Sequence, residues 1–432
     1  MKIKFYLFGL LLMGCLTSCL ESSTSTTAVS DEAVITNFYL YNDSIEGISD
    51  YEFLIDEDSM LIYNYDSIDY GTRIDSLAFA ITPRFHAVYI NDTLDFYAAT
   101  SVFLDFTNEV KITVVASDEK TSADYRVRVN VHTVDPDTFI WNGVKSEVFA
   151  GYAQTEKALW FNGRLLYFAV VDNDLVVNES VDGVAWSALA SDLDIDFASA
   201  DLNYLVGTED FIYYFTDGEL YKSADGVTWT SEVITGIAVE HLLFAMNGKI
   251  FGVTEENRIA RLDDGMWTDL GRLPSAFPVK GAAMMVAPAP SGKERVFVVG
   301  GVDASGRLLS SIWSSEDGAY WSDMSGGKEM FSPRAYAAMA QYGGGLMLFG
   351  GVGSDDVVVK DAQLYSKDFG LNWGEPKAKS VIGDMYLPRY GHSAVVTPTG
   401  YIYLIGGRVS SATSVNDVWM GLNYASLPGF KR

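Results

Sequence analysis

The sequence predicts an all-β chain in two parts, a strand-rich domain over residues 33–133 and a β-propeller over 134–432. Three observations carry this reading. Hydrophobic residues alternate with period two throughout 33–133. Beyond it, an acid–glycine–tryptophan motif recurs five times, its tryptophans 38 to 54 residues apart, which is the spacing of propeller blades. Apolar runs ending in glycine pairs separate the later copies. The 13% aromatic content favours strands over helices.

The chain starts "MKIKFYLFGLLLMGCLTSC". Two lysines precede an apolar run too short for a permanent membrane helix, the pattern of a secretory leader. The segment Leu16–Cys19, "LTSC", resembles the lipobox of bacterial lipoproteins. That resemblance implies that Cys19 becomes the first mature residue and carries lipid; a freely cleaved leader is the alternative. Cys15 lies within the leader, so the mature chain is expected to hold no structural thiol, which excludes thiol catalysis and cysteine-ligated metal. Residues 20–32, "LESSTSTTAVSDE", are small and polar and read as a flexible tether. The 57 acidic residues against 30 basic ones give a net charge of -27. Such a surface argues against nucleic acid or an anionic membrane face as partner.

In 33–133 the runs "ITNFYLY", "EFLIDE", "LAFAITP", "HAVYIND" and "VKITVVAS" are strand candidates. In "YRVRVNV" the reading buries Tyr125, Val127, Val129 and Val131 and exposes Arg126, Arg128 and Asn130. The whole fits a β-sandwich of immunoglobulin-like shape. "TVDPD" at 133–137 reads as a stiff junction, because Pro136 cannot join a ladder.

The repeated motif reads as the turn between the third and fourth strands of each blade. Its members are Asp182, Gly183 and Trp186; Asp225, Gly226 and Trp229; Asp264, Gly265 and Trp267; Asp317, Gly318 and Trp321; and Asp368, Gly370 and Trp373. Glycine tolerates positive φ, aspartate accepts bonds from the turn's own amides, and the tryptophan supplies a large surface for packing. An acid that recurs in most blades cannot mark one site, so these residues are expected to be structural. "RVFVVGG", "GLMLFGG" and "YIYLIGG" resemble kelch repeats, and "SKDFGLNW" resembles the Asp-box of sialidase propellers. The last repeat lacks its own motif, while Trp141 in "TFIWNGV" precedes the first. The Trp141 segment is therefore expected to complete the final blade, for six blades in all, with seven the alternative.

Little in the sequence speaks for catalysis. His86, His132, His241 and His392 are scattered without metal-ligand spacing, and His392 reads as an inner-strand residue. No nucleophile elbow or phosphate-binding glycine loop is present. No cofactor and no metal are expected. The sharpest constellation is Arg334 in "SPRAYAA" and Arg389 in "LPRYGHS", with Lys280 one residue displaced in "FPVKGAA". These positions read as a small cationic focus near one channel mouth, with Tyr336 and Tyr390 beside it to stack on a ligand; the alternative is that they are packing residues.

Leader, tether, sandwich and propeller together resemble a family of outer-membrane lipoproteins of unknown function from Bacteroides-type bacteria, most closely at "YNYDSIDYGTRIDSLAFAIT", 63–82. The resemblance implies a lipid-anchored envelope protein, facing periplasm or cell surface, and carries no activity. The expected role is a monomeric binding protein for a glycan or protein ligand. A sialidase-like or epimerase/mutarotase-like enzyme and a structural subunit of an outer-membrane complex are the alternatives.

Overall fold

The computed structural model describes residues 30–97, 102–133, 135, 138–289, 292–342, 345–360, 363–377 and 380–423. The leader, Cys19, most of the 20–32 tether and Pro136 lie outside these residues. The described chain is all-β apart from three single-turn 3-10 helices, Ile48–Asp50, Leu202–Tyr204 and Ser354–Asp356. It divides into two compact units, one ending at His132 and one starting at Thr133.

The first unit holds a three-stranded sheet (Val34–Tyr41, Leu77–Arg84, Phe103–Leu104) and a six-stranded one. Alternation places Phe38, Leu40 and Phe79 from the one, and Val88, Ile112, Tyr125 and Val127 from the other, in a single apolar cluster. One strand reading needs correction. The strand Ser122–Arg128 stops before Asn130, which is not exposed. Asn130 pairs reciprocally with the buried Asn64: each side chain bonds the other's backbone, and Asn130 N–H donates to Asn64 Oδ1 at 2.6 Å. The pairing satisfies polar groups where Leu61–Asn64 runs parallel to the end of that strand.

The second unit contains seven sheets among its described residues, six of three to five strands and a small two-stranded one, Arg408–Ser410 with Thr413–Ser414. The first comprises Ala153–Phe161, Arg164–Val171, Asp174–Ser180 and Ser187–Leu189; the second comprises Val206–Gly207, Ile212–Thr216, Glu219–Ser223 and Trp229–Val233. The third is His241–Met246, Lys249–Val253, Arg258–Asp263 and Met266–Arg272, with Thr235–Gly236 added parallel at its outer edge. The fourth runs from Ala283–Pro288 through Glu294–Val299 and Ile312–Ser315 to Ser322–Asp323. The fifth has Ala338–Tyr342, Gly345–Phe349 and Gln363–Ser366, its fourth strand reduced to the bridge Tyr365–Gly374. The sixth is built from both ends of the unit: Ser393–Val396, Ile402–Ile405 and Val418–Asn423 come from late in the chain, and Phe139–Lys145 supplies the outer strand.

The first strand of each sheet is innermost, and these strands follow one another in a closed circuit. Ala153–Phe161 touches the Leu202–Tyr204 turn that leads into the second sheet; contacts continue through the third, fourth and fifth sheets to Ser393–Val396, which returns to Ala153–Phe161. In the outer strand of the sixth sheet, Trp141 stacks on Phe139 at 5.7 Å and meets Phe349 edge-on at 5.6 Å. Its indole donates to Ser380 O at 3.0 Å, and Gly421 leaves the room its ring occupies.

Candidate functional site

Four of the five motif loops share one construction. A serine two residues before the acid accepts the glycine's N–H through Oγ, at 2.8 Å in Ser180–Gly183, Ser223–Gly226, Ser315–Gly318 and Ser366–Gly370. Aspartate Oδ1 accepts amides beyond the glycine, as Asp182 does from Val184 and Ala185. Burial pushes the Asp225 carboxyl up, but the Thr228 and Val227 amides outweigh it and hold the group at about 2. The indoles of Trp186, Trp321 and Trp373 donate back to the carbonyl of their own motif glycine. The Trp229 and Trp267 indoles make no such bond. "LDDGMW" is a plain two-residue hairpin, with Asp264 and Gly265 both at positive φ.

These glycines are also spacers. A Cβ on Gly183 would lie 2.3 Å from the Tyr403 ring of the sixth sheet, and one on Gly318 would lie 2.3 Å from the Phe251 ring of the third. Each of these two loops thus packs against the second strand of the preceding sheet, a contact the sequence reading did not anticipate.

The cationic focus requires correction. Arg334 and Arg389 are 1% and 0% exposed, so neither offers its guanidinium to a ligand. Arg334 donates to Ser332 O, Ser332 Oγ and Gly350 O. Arg389 donates to Leu387 O and Gly406 O and forms an ion pair with Asp417, its guanidinium 4.3 Å from the Tyr386 ring centre. Both therefore clamp the first carbonyl of a glycine pair, which places them in the packing alternative. Lys280 is exposed, and Tyr336 and Tyr390 are partly buried with ring centres 6.4 Å apart.

The same glycine pairs join each sheet to the next. Gly301 N–H donates to Arg334 O at 2.8 Å, and Gly351 N–H to Arg389 O at 2.9 Å. In the sixth sheet the third such donor, Gly407, finds a carboxylate instead, Glu156 Oε1 at 2.7 Å. Glu156 also accepts from the Tyr167 hydroxyl. Burial pushes its carboxyl up to about 7, against the lowering pull of those bonds and of Arg408 and Arg389.

A group of aromatic and titratable residues surrounds the turn Leu202–Tyr204. Tyr204 stacks on His241 at 3.8 Å, and Asp201 caps the turn that carries Tyr204 by accepting from Asn203 N–H. Burial raises the Tyr204 hydroxyl, helped by Asp201, Tyr336 and Glu240. Burial likewise holds His241 down at about 4 despite Asp201. Tyr336 stands on the other side of the circuit, its ring lying over Gly281, where a Cβ would stand 3.1 Å away. The backbone threads these positions together: Tyr336 N–H donates to Gly281 O, and Gly391 N–H to Tyr336 O. Gly281, Tyr336 and Gly391 are thus equivalent residues, and all three have positive φ, +64°, +54° and +67°. Among the described residues no His, Cys, Asp and Glu cluster of metal-binding form occurs.

A family model described as the DUF6242 beta propeller domain matches residues 135–431, and the DUF6242 N-terminal domain, a domain of unknown function, matches 21–129. The chain belongs to the DUF6242 family. The second unit of this DUF6242 protein is accordingly a β-propeller, and the circuit of inner strands lines its axis. No curated protein matches the DUF6242 chain. Among solved structures, that of YjhT is similar at 12% identity and a TM-score of 0.42, over 64% of this chain and 96% of its own.

Proposed function

We propose that this DUF6242 protein is a binding protein of the cell envelope, which offers the inner-strand end of its propeller to a glycan. The observation that carries the reading is Tyr336. Left-handed backbone disfavours a bulky residue by about 1–2 kcal/mol, and the two equivalent positions use glycine. Strain of this kind persists where function needs the side chain. Together with Tyr204 and Tyr390, Tyr336 offers flat apolar faces with polar edges, which suit the face and hydroxyl rim of a sugar ring.

The finer architecture belongs to the same reading. Six kelch-like blades carry Asp-box-like turns, Phe139–Lys145 closes the ring, and an immunoglobulin-like sandwich precedes it. Lipid on Cys19 holds a monomer at the outer membrane, facing periplasm or cell surface. The test is a glycan array followed by calorimetry on the best ligand. Tyr336→Gly should weaken binding at least tenfold without lowering the melting temperature, and undiminished binding by this variant would sink the reading. For the anchor, Cys19→Ala should abolish metabolic lipid labelling.

A further inference from the structure

Thr155, Glu156, Lys157 and Ala158 alternate across the innermost strand of the first sheet. Glu156 and Ala158 face the sixth sheet, where Gly407 and Ser393 bond them. Thr155, Lys157 and Leu159 face the second, where Thr155 Oγ1 accepts from Leu202 N–H at 2.9 Å and Leu159 joins the apolar cluster. Lys157 therefore stands inside the propeller, on the strand that borders its axis.

Cations packed elsewhere in this unit have partners. Arg389 has Asp417, Arg164 has Glu179, and Lys249 and Arg261 share Asp263. The Lys157 amine makes no hydrogen bond and no ion pair with any described residue. Asp201 is near enough to favour its charge, yet Asp201 Oδ1 is committed to Asn203 and to the Thr155 hydroxyl. Protein surrounds the amine closely enough that burial lowers its pKa, but the side chain is only partly buried and the amine is not sealed from solvent. An unpartnered ammonium packed among protein groups in this way is costly until an anion completes it.

We infer that Lys157 is the anion-recognising group of the propeller interior, and that the glycan taken at this end carries a carboxylate, as a uronic acid residue does. This rests on the binding reading above. A single amine with Asp201 nearby suits one negative charge and disfavours a doubly charged phosphate. The tyrosines would take the ring while Lys157 takes the carboxylate.

The experiment uses the intact mature chain with its lysines 13C-methylated, which preserves their charge. The Lys157 resonance is the one missing from both Lys157→Arg and Lys157→Met, so either variant suffices if the other fails to fold. The probes are trigalacturonate and its neutral methyl ester. The expected result is that trigalacturonate shifts the Lys157 resonance at a concentration at least tenfold below the ester, and that Lys157→Met binds acid and ester alike. Equal shifts by both probes, or binding of either that leaves Lys157 unmoved, would overturn the carboxylate inference while leaving the glycan reading intact. No binding of either probe would also overturn it, and the array of neutral glycans then decides the glycan reading separately.

Discussion

Replacing Glu156 by glutamine isolates the seam between the first and sixth sheets. The glutamine amide is nearly isosteric; its oxygen can accept from Gly407 N–H and its nitrogen can donate to the Tyr167 oxygen. Only the ability to ionise is removed. The folded state raises this carboxyl from 4.5 to about 7, so it holds the proton more tightly than the unfolded chain does. The stabilisation from that proton is complete below pH 4.5 and is lost as pH climbs toward 7. At 1.36 kcal/mol per pKa unit, the ionised carboxylate costs the fold about 3 kcal/mol above pH 7. Glu156→Gln should therefore match the parent near pH 4.5 and exceed it by up to about 3 kcal/mol at pH 8. Urea unfolding of both proteins from pH 4.5 to 8.5 measures the difference. The buried histidines His392 and His241, held down at about 3 and about 4, give stability the opposite slope below pH 6.5, but they do so in both proteins and cancel. A difference that stays constant with pH, or that grows toward acid, refutes the reasoning.

Three further outcomes follow from the packing. Arg389→Ala leaves Asp417 partly buried without its cation and should cost about 3–5 kcal/mol by urea unfolding; a cost under about 1 kcal/mol would remove the clamp role. Gly318→Ala, which drives a Cβ into the Phe251 ring, should destabilise more than Gly265→Ala, which meets no atom within 4 Å and suffers from its positive φ alone; equal melting points would show that the loops do not pack as spacers. A chain starting at Gly151 lacks Phe139–Lys145 and with it Trp141, and should lose about 3–5 kcal/mol or associate through the open edge, whereas one starting at Thr133 should fold as a monomer. Indistinguishable melting and elution of the two would contradict the closure.

What could be read from the sequence is what local rules determine. The Ser-x-Asp-Gly turns at Ser180, Ser223 and Ser315 need only neighbouring atoms, and the orphan Trp141 betrayed a missing strand. The site was harder, because its residues owe their environment to closure of the ring. Glu156 and Lys157 in "QTEKALWF" look like a solvated strand edge, and nothing local shows that one meets a glycine pair more than two hundred residues away. Arg334 and Arg389 pair as equivalents in the sequence, but composition does not tell an exposed guanidinium from one wrapped in carbonyls. Tyr336 was within reach: aligning "SPRAYAA" on "LPRYGHS" by their arginines sets it against Gly391, a mismatch that already implies strain.

The sixth sheet also orders events in time. Phe139–Lys145 leaves the ribosome before any other strand of the propeller, yet its partner Val418–Asn423 leaves last. The earliest strand must wait, unpaired and carrying Phe139 and Trp141, until nearly the whole propeller has been made. Closing so distant a contact is slow, and until then both ends of the nascent ring stay exposed to wrong partners. A propeller latched this way gains its last blade in a single late step, so a chain truncated near its C-terminus forfeits the first strand it made as well as the last.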